Sequence, residues 1–219
     1  MSRDKYDMKY YEDGIKSGKS CYVEYRWLPS LTIPMAHKMV EYLGIALRDS
    51  VLDFGCAKGY LVKAFRDMGI EAYGVDVSAY AIANAPGELT GYVQRIESCE
   101  VIPLLMSRRR RYEWFIAKDV FEHLEEKDLH NQLLCLSDAC LRGFAVIPLS
   151  DDSGKYVCPE YDNDITHRIR RPMSWWAEMF EAAGFRVERE EYRVEGIKDK
   201  WASCAKGNGF FTLSRKGRV

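Results

Sequence analysis

A strand–turn–helix junction near residue 55 restricts this chain more than any other feature. The short apolar run Val51-Leu52-Asp53-Phe54 leads into Gly55-Cys56-Ala57-Lys58-Gly59. From Tyr60 to Met68, apolar residues then recur at Leu61, Val62, Ala64, Phe65 and Met68 with helical spacing until Gly69. Glycines at such a junction let backbone approach a ligand closely and turn sharply into the helix. The spacing is D-x-G-x-A-x-G, not the G-x-G-x-x-G of dinucleotide folds, and no lysine followed by Ser or Thr completes a phosphate loop. An acid ahead of the turn suits a ligand with an ammonium group better than a pyrophosphate.

The rest of the chain repeats this alternation. Strands are expected at 71–75, 92–95, 112–117 and 144–149, with helices at 78–85, 124–141 and 174–183. An amphipathic helix is expected at 31–47, with Pro34 in its first turn, and two strand-like runs at 186–194 and 209–214 end the chain. Strands alternating with helices imply an α/β fold: a Rossmann-like, mostly parallel seven-stranded sheet with helices on both faces. Residues 1–30 read as an irregular N-terminal arm that could lie over a site. Residues 31–219 read as one domain, with a polar substrate-loop insertion at 150–171 that is long for a compact domain. In such sheets ligands bind beyond the carboxyl ends of the strands.

A second signal lies in that position. Asp76 closes the second strand in Gly74-Val75-Asp76-Val77-Ser78, 23 residues past Asp53. That is near the roughly 20-residue interval at which an acid meets a ribose diol, and a carboxylate can accept both hydroxyl protons.

The runs 53–60, 74–78 and Asp119-Val120-Phe121-Glu122-His123-Leu124 together resemble three motifs of class I S-adenosylmethionine (SAM)-dependent methyltransferases, over about residues 51–185. The resemblance implies that Asp53, Gly55, Ala57 and Gly59 wrap the methionine part of SAM, with Cys56, Tyr60 and Lys118 beside it. It implies that Asp76 holds the ribose and that Val77, Ile96 and Glu97 border the adenine. Ala57 stands where the family usually has a glycine.

Asp119, Glu122 and His123 follow the fourth strand. If a helix begins there, the i, i+3, i+4 spacing places them within roughly 100° on one face. Such a set suits Mg²⁺, Mn²⁺ or Fe²⁺, or an acid–base pair. Favourable acids at a helix start are the plainer explanation. The loop run Tyr161-Asp162-Asn163-Asp164-Ile165-Thr166-His167 extends the likeness. With it, the chain resembles methyltransferases of sugars and surface glycans, and those that methylate a terminal ribose 2′-hydroxyl of small RNA with a divalent metal; ubiquinone-pathway O-methyltransferases share a similar run. The resemblance implies a quartet of Asp119, Glu122, His123 and His167, as metal ligands or catalytic groups. Asp119 stands where those families have Glu. His37 and His130 read as ordinary helix residues.

Composition narrows the partners. With 32 basic and 33 acidic residues the formal net charge is −1, which gives no global reason to bind a polyanion. The run Arg108-Arg109-Arg110-Arg111 reads as a solvated loop. Trp175-Trp176 reads as core plus edge rather than a base-stacking platform, and Tyr25 and Arg26 as groups that could close over the SAM carboxylate. The expected activity is O-methylation of a sugar, glycan or small polar metabolite. RNA ribose 2′-O-methylation is the runner-up, and a non-catalytic SAM-binding protein the third reading.

Seven cysteines, an odd number without CxxC spacing, fit reduced thiols with no disulfide. The charged N-terminus lacks a signal-peptide core, and no apolar run approaches the roughly 20 residues that span a bilayer. A soluble, cytoplasmic protein is expected.

Overall fold

A computed structural model describes residues 5–97, 111–201 and 203–217. The strands β1 (Ser50–Phe54), β2 (Glu71–Asp76), β3 (Val93–Arg95), β4 (Tyr112–Lys118), β5 (Cys140–Pro148), β6 (Phe185–Glu191) and β7 (Asn208–Arg215) form one sheet in the order β3-β2-β1-β4-β5-β7-β6. Every pair is parallel except those that β7 makes with β5 and β6. This is the expected seven-stranded, mostly parallel sheet.

The period-2 alternation of each strand supplies two cores. Phe115, Ala117, Ala145, Ile147, Phe211 and Leu213 face one cluster, where α6 (Glu126–Ala139) adds Leu129, Leu133 and Leu136, and α7 (Met173–Ala182) adds Trp176 and Phe180. The intervening residues Trp114, Ile116, Phe144, Val146 and Phe210 face the other. There α3 (Pro29–Leu43) contributes Ala36 and Met39, and α4 (Tyr60–Asp67) contributes Leu61, Val62 and Phe65. Helices therefore cover both faces. Trp176 is fully buried and Trp175 half-buried, as core and edge. The strand order reverses between β1 and β4, and the carboxyl ends there meet a cavity of about 870 Å³.

Four local expectations are corrected. The segment after β4 is not the start of a regular helix: Asp119 is left-handed at φ 58°, and a single 3₁₀ turn, Phe121–His123, precedes α6. Helix α6 stops at Ala139, not 141, because Cys140 already pairs with Tyr112 at the start of β5. The arm is not irregular throughout, since it folds into α1 (Met8–Tyr11), α2 (Gly14–Ser17) and a cluster of tyrosines. Cys158 and Cys204 form a disulfide, contrary to the expectation of none. Their Cα atoms are brought 5.6 Å apart by folds of chain 46 residues distant in sequence, a pairing that local Cys spacing cannot reveal. Cys21, Cys56 and Cys140 are free thiols, whereas Cys99, Arg108, Arg109 and Arg110 lie outside the described residues. No helix among the described residues is long and apolar enough to cross a membrane.

Candidate active site

The end of the cavity expected to hold the cofactor is built from the β1–α4 turn and the end of β2. Gly55 and Gly59 have φ of 81° and 78°, conformations that L side chains avoid. A Cβ on Gly55 would sit 2.5 Å from the Val120 side chain, so this turn needs glycine for space as well as for rotation. Ala57 also adopts a positive φ, 50°, at the position where related turns use glycine. Its N–H donates to Asp76 Oδ2 at 2.8 Å, which holds the turn against that local cost. Asp76 Oδ1 accepts the Ser78 N–H at 2.7 Å, so the carboxylate is fixed from both sides.

Asp53, Gly55, Cys56, Ala57, Tyr60, Asp76, Val77, Ile96, Glu97 and Lys118 all line the cavity. Gly59 does not; it acts one step back, as the residue that turns into α4. Asp53 is 5% exposed. Burial, with the Asp76 carboxylate nearby, pushes its pKa up to about 7 against the opposing pull of Lys118. Burial likewise raises Asp76. Two desolvated carboxylates at one end of a cavity form a site suited to a cation.

The N-terminal arm walls this cavity. Tyr6, Tyr10, Tyr11, Tyr22 and Tyr25 face it, and burial raises the pKa of each, which keeps their hydroxyls protonated. The arm is fastened to the turns after β1 and β2. Lys58 Nζ donates to Glu12 Oε1 at 2.6 Å and to the Tyr25 carbonyl at 2.8 Å, and Ser78 Oγ donates to the Tyr6 carbonyl at 2.7 Å. Tyr25 lies over Tyr60, with ring centroids 5.3 Å apart. Arg26, paired with Glu24 at 2.8 Å, is exposed at the cavity rim.

At the far end, the expected quartet resolves into three plus one. The ligand atoms of Glu122, His123 and His167 all lie within 4.8 Å of one another. His167 arrives because the 150–171 loop is stitched to the turn after β4: the Arg168 and Ile169 N–H groups donate to the Glu122 carbonyl at 2.7 and 3.0 Å. The two imidazole centroids are then 4.7 Å apart. Glu122 is fully buried, and both its carboxylate oxygens lack a hydrogen-bond partner, as does Nδ1 of His167. Burial, reinforced by the charge on Asp119, raises Glu122 well above the usual carboxylate range. Burial lowers His123 and His167, so both imidazoles are neutral near pH 7.

Asp119 belongs elsewhere. Its left-handed backbone aims the carboxylate at Lys118, 2.6 Å away, and at Lys198, with which it forms a second short ion pair. Burial opposes ionisation there, but the two ammonium groups hold Asp119 well below the usual carboxylate range. Lys198 also donates to Asn208 Oδ1 at 2.8 Å. Nothing in the spacing of the sequence marks Lys198, 79 residues from its partner. His37 and His130 lie outside this centre, on α3 and α6.

A family model described as "Methyltransferase domain" matches residues 31–190. The chain belongs to the methyltransferase domain family. No curated protein matches its sequence. Among solved structures, the chain is similar to a Haloferax volcanii protein solved in complex with a methyltransferase activator, at 16% identity and TM-score 0.64, covering 87% of this chain and 92% of that one. It is also similar to a SAM-dependent methyltransferase from Clostridium acetobutylicum, at 9% identity and TM-score 0.62 with coverage of 85% and 92%. A third is a calicheamicin-biosynthesis methyltransferase bound to S-adenosylhomocysteine, at 14% identity and TM-score 0.56, of which the chain spans 54% while 83% of its own length is covered. At these identities the likeness is one of fold. The chain is a methyltransferase with the seven-stranded, mostly parallel sheet of that fold.

Proposed function

We propose that this methyltransferase uses SAM to methylate a hydroxyl of a sugar, glycan or small polar metabolite, assisted by one divalent cation. The observation that carries the reading is the convergence of Glu122, His123 and His167, with the Glu122 oxygens and His167 Nδ1 buried and unpartnered. An isolated buried carboxylate is costly unless a cation or donor meets it.

The donor set fits a divalent ion. One carboxylate and two neutral imidazoles suit Mn²⁺, Fe²⁺ or Zn²⁺ better than Mg²⁺, which prefers oxygen. Held there, such an ion would polarise a substrate hydroxyl and orient a vicinal diol. Asp119 is left out of the ligand set, since Lys118 and Lys198 already occupy its carboxylate.

The cofactor end fits SAM by charge and shape. SAM supplies a methyl group on a positively charged sulfonium. Asp53 and Asp76 give that cation a negative neighbourhood, the 55–59 turn admits close backbone approach, and Asp76 can accept the ribose hydroxyls. The tyrosines of the arm exclude water from the path between the two ends. A hydroxyl in line with the methyl group would lose its proton more readily beside such an ion, which would lower its pKa, the released proton passing to buffer.

The test is transfer of labelled methyl from SAM to a panel of free sugars, glycan fragments, nucleosides and simple amines, with Mn²⁺ or with chelator. A base-stable methyl ether formed only with the ion is expected. Transfer to amines, or transfer indifferent to chelator, would overturn the reading.

A further inference from the structure

An imidazole presents a lone pair on only one of its nitrogens when neutral, and which one is fixed by the partner of the other. In His123, Nδ1 lies 2.8 Å from Thr166 Oγ1. Thr166 has one hydroxyl proton, and it is donated to Asp164 Oδ1 at 2.5 Å. The same oxygen accepts the Thr166 backbone N–H at 2.9 Å, while Asp164 Oδ2 accepts the Tyr10 hydroxyl at 2.9 Å. All donors in this chain run toward the Asp164 carboxylate. Thr166 therefore has only lone pairs left for His123, and Nδ1 must carry the ring proton. Nε2 is left bare, 4.0 Å from Glu122 Oε1, on the side of the cluster.

The chain is well shielded. Tyr10, Thr166 and Asp164 are 4%, 4% and 7% exposed, so water competes little for these bonds. Its outer end lies on the N-terminal arm, whose Tyr6 also packs edge-on to the His123 ring at 5.9 Å between centroids. Lys5 Nζ donates to the His123 carbonyl at 3.4 Å.

We infer that Tyr10, Asp164 and Thr166 are positioning residues that lock His123 as its Nδ1–H tautomer, so that docking of the arm turns Nε2 into the centre as a lone-pair donor. This rests on the reading of Glu122, His123 and His167 as the reaction centre. The opposite tautomer would point an N–H at Glu122 and His167 and could neither hold a cation nor take a proton. Partners of this kind behind a ligating histidine set its orientation, and losing them typically weakens ion binding about 10–100-fold.

The experiment is long-range ¹⁵N–¹H NMR on the full chain with labelled histidine, treated with chelator, with His123 assigned by its loss in His123→Asn. The wild type is expected to show Nδ1 protonated and Nε2 bare. Thr166→Val should lose that fixed pattern and bind Mn²⁺ about 10–100-fold more weakly, and Thr166→Ser should restore both. Asp164→Asn, which disturbs the same chain with little change of volume, replaces the valine variant if that fails to fold. A wild-type spectrum with Nε2 protonated, or an unchanged tautomer and Mn²⁺ affinity in Thr166→Val, would overturn the inference. The expected tautomer in a protein that transfers no methyl group to any hydroxyl would instead support it and sink the functional reading.

Discussion

Lys58 Nζ lies 2.6 Å from Glu12 Oε1, an ion pair that fastens the N-terminal arm to the turn between β1 and α4. Lys58 is 9% exposed at its side chain and Glu12 26%, so the pair is shielded enough to matter. Lys58→Met should loosen arm docking by about 1.5–3 kcal/mol, the range for a hydrogen bond to a charged group. Limited proteolysis should then cut within residues 5–25 faster in the variant, and S-adenosylhomocysteine should slow the cutting in the wild type. Equal cutting of both proteins would detach the arm from the cofactor site.

Asp76 is held by the Ala57 and Ser78 N–H groups at the end of β2, with its carboxylate facing the cavity. Asp76→Ala should weaken SAM binding by about 1.5–3 kcal/mol. Calorimetric titration of the folded variant is the check, and retained affinity would remove Asp76 from the ribose contact.

Asp53 gives a pH dependence of defined sign. Burial raises its pKa from 3.8 to about 7 in the folded chain. The folded state therefore binds the proton more tightly than the unfolded state, and stability from this group falls as pH rises from about 4 to about 7. Asp53→Asn should raise the melting temperature of the cofactor-free protein at pH 8, by about 2–4 °C for each kcal/mol relieved. The gain should shrink as pH falls toward 4. The same variant should bind SAM more weakly, because the ionised group serves the cation. A melting temperature that is lower than wild type at pH 8 would contradict the assignment.

The mostly parallel seven-stranded sheet and the turn at 55–59 are legible because each rests on local pattern, alternating apolar runs and glycines at a junction, whereas the strand order depends on pairings distant in sequence. The Glu122–His123–His167 cluster was legible only through resemblance, since its third member comes from a loop whose path depends on the Arg168 and Ile169 bonds to Glu122. Asp119 shows the limit of spacing as a guide. Residues spaced i, i+3, i+4 share a face only in a helix, but the left-handed backbone at Asp119 turns its carboxylate away toward Lys118 and Lys198. Lys198, Thr166 and Tyr10 join the site across long sequence separations. The pairing of Cys158 with Cys204 was hidden for the same reason.

That disulfide ties the 150–171 loop to the segment before β7. Closing a loop of this length contributes about 2–4 kcal/mol. Cys204→Ser should lower the melting temperature of the oxidised protein and leave the reduced protein nearly unchanged. Mass spectrometry of unreduced wild type should find one bridge, and two free thiols at Cys158 and Cys204 would contradict it.

The measurement closest to the central claim is paired calorimetry of the wild type and Glu122→Gln, titrated separately with S-adenosylhomocysteine and with Mn²⁺. Glu122 belongs to the proposed ion cluster, while the proposed cofactor contacts are Asp53, Asp76 and the turn between them. The wild type should bind one equivalent of each ligand. Glu122→Gln should lose Mn²⁺ binding by at least about tenfold and keep cofactor affinity close to wild type. A wild type that binds no S-adenosylhomocysteine, or a Glu122→Gln variant that binds Mn²⁺ as well as the wild type, would contradict the account.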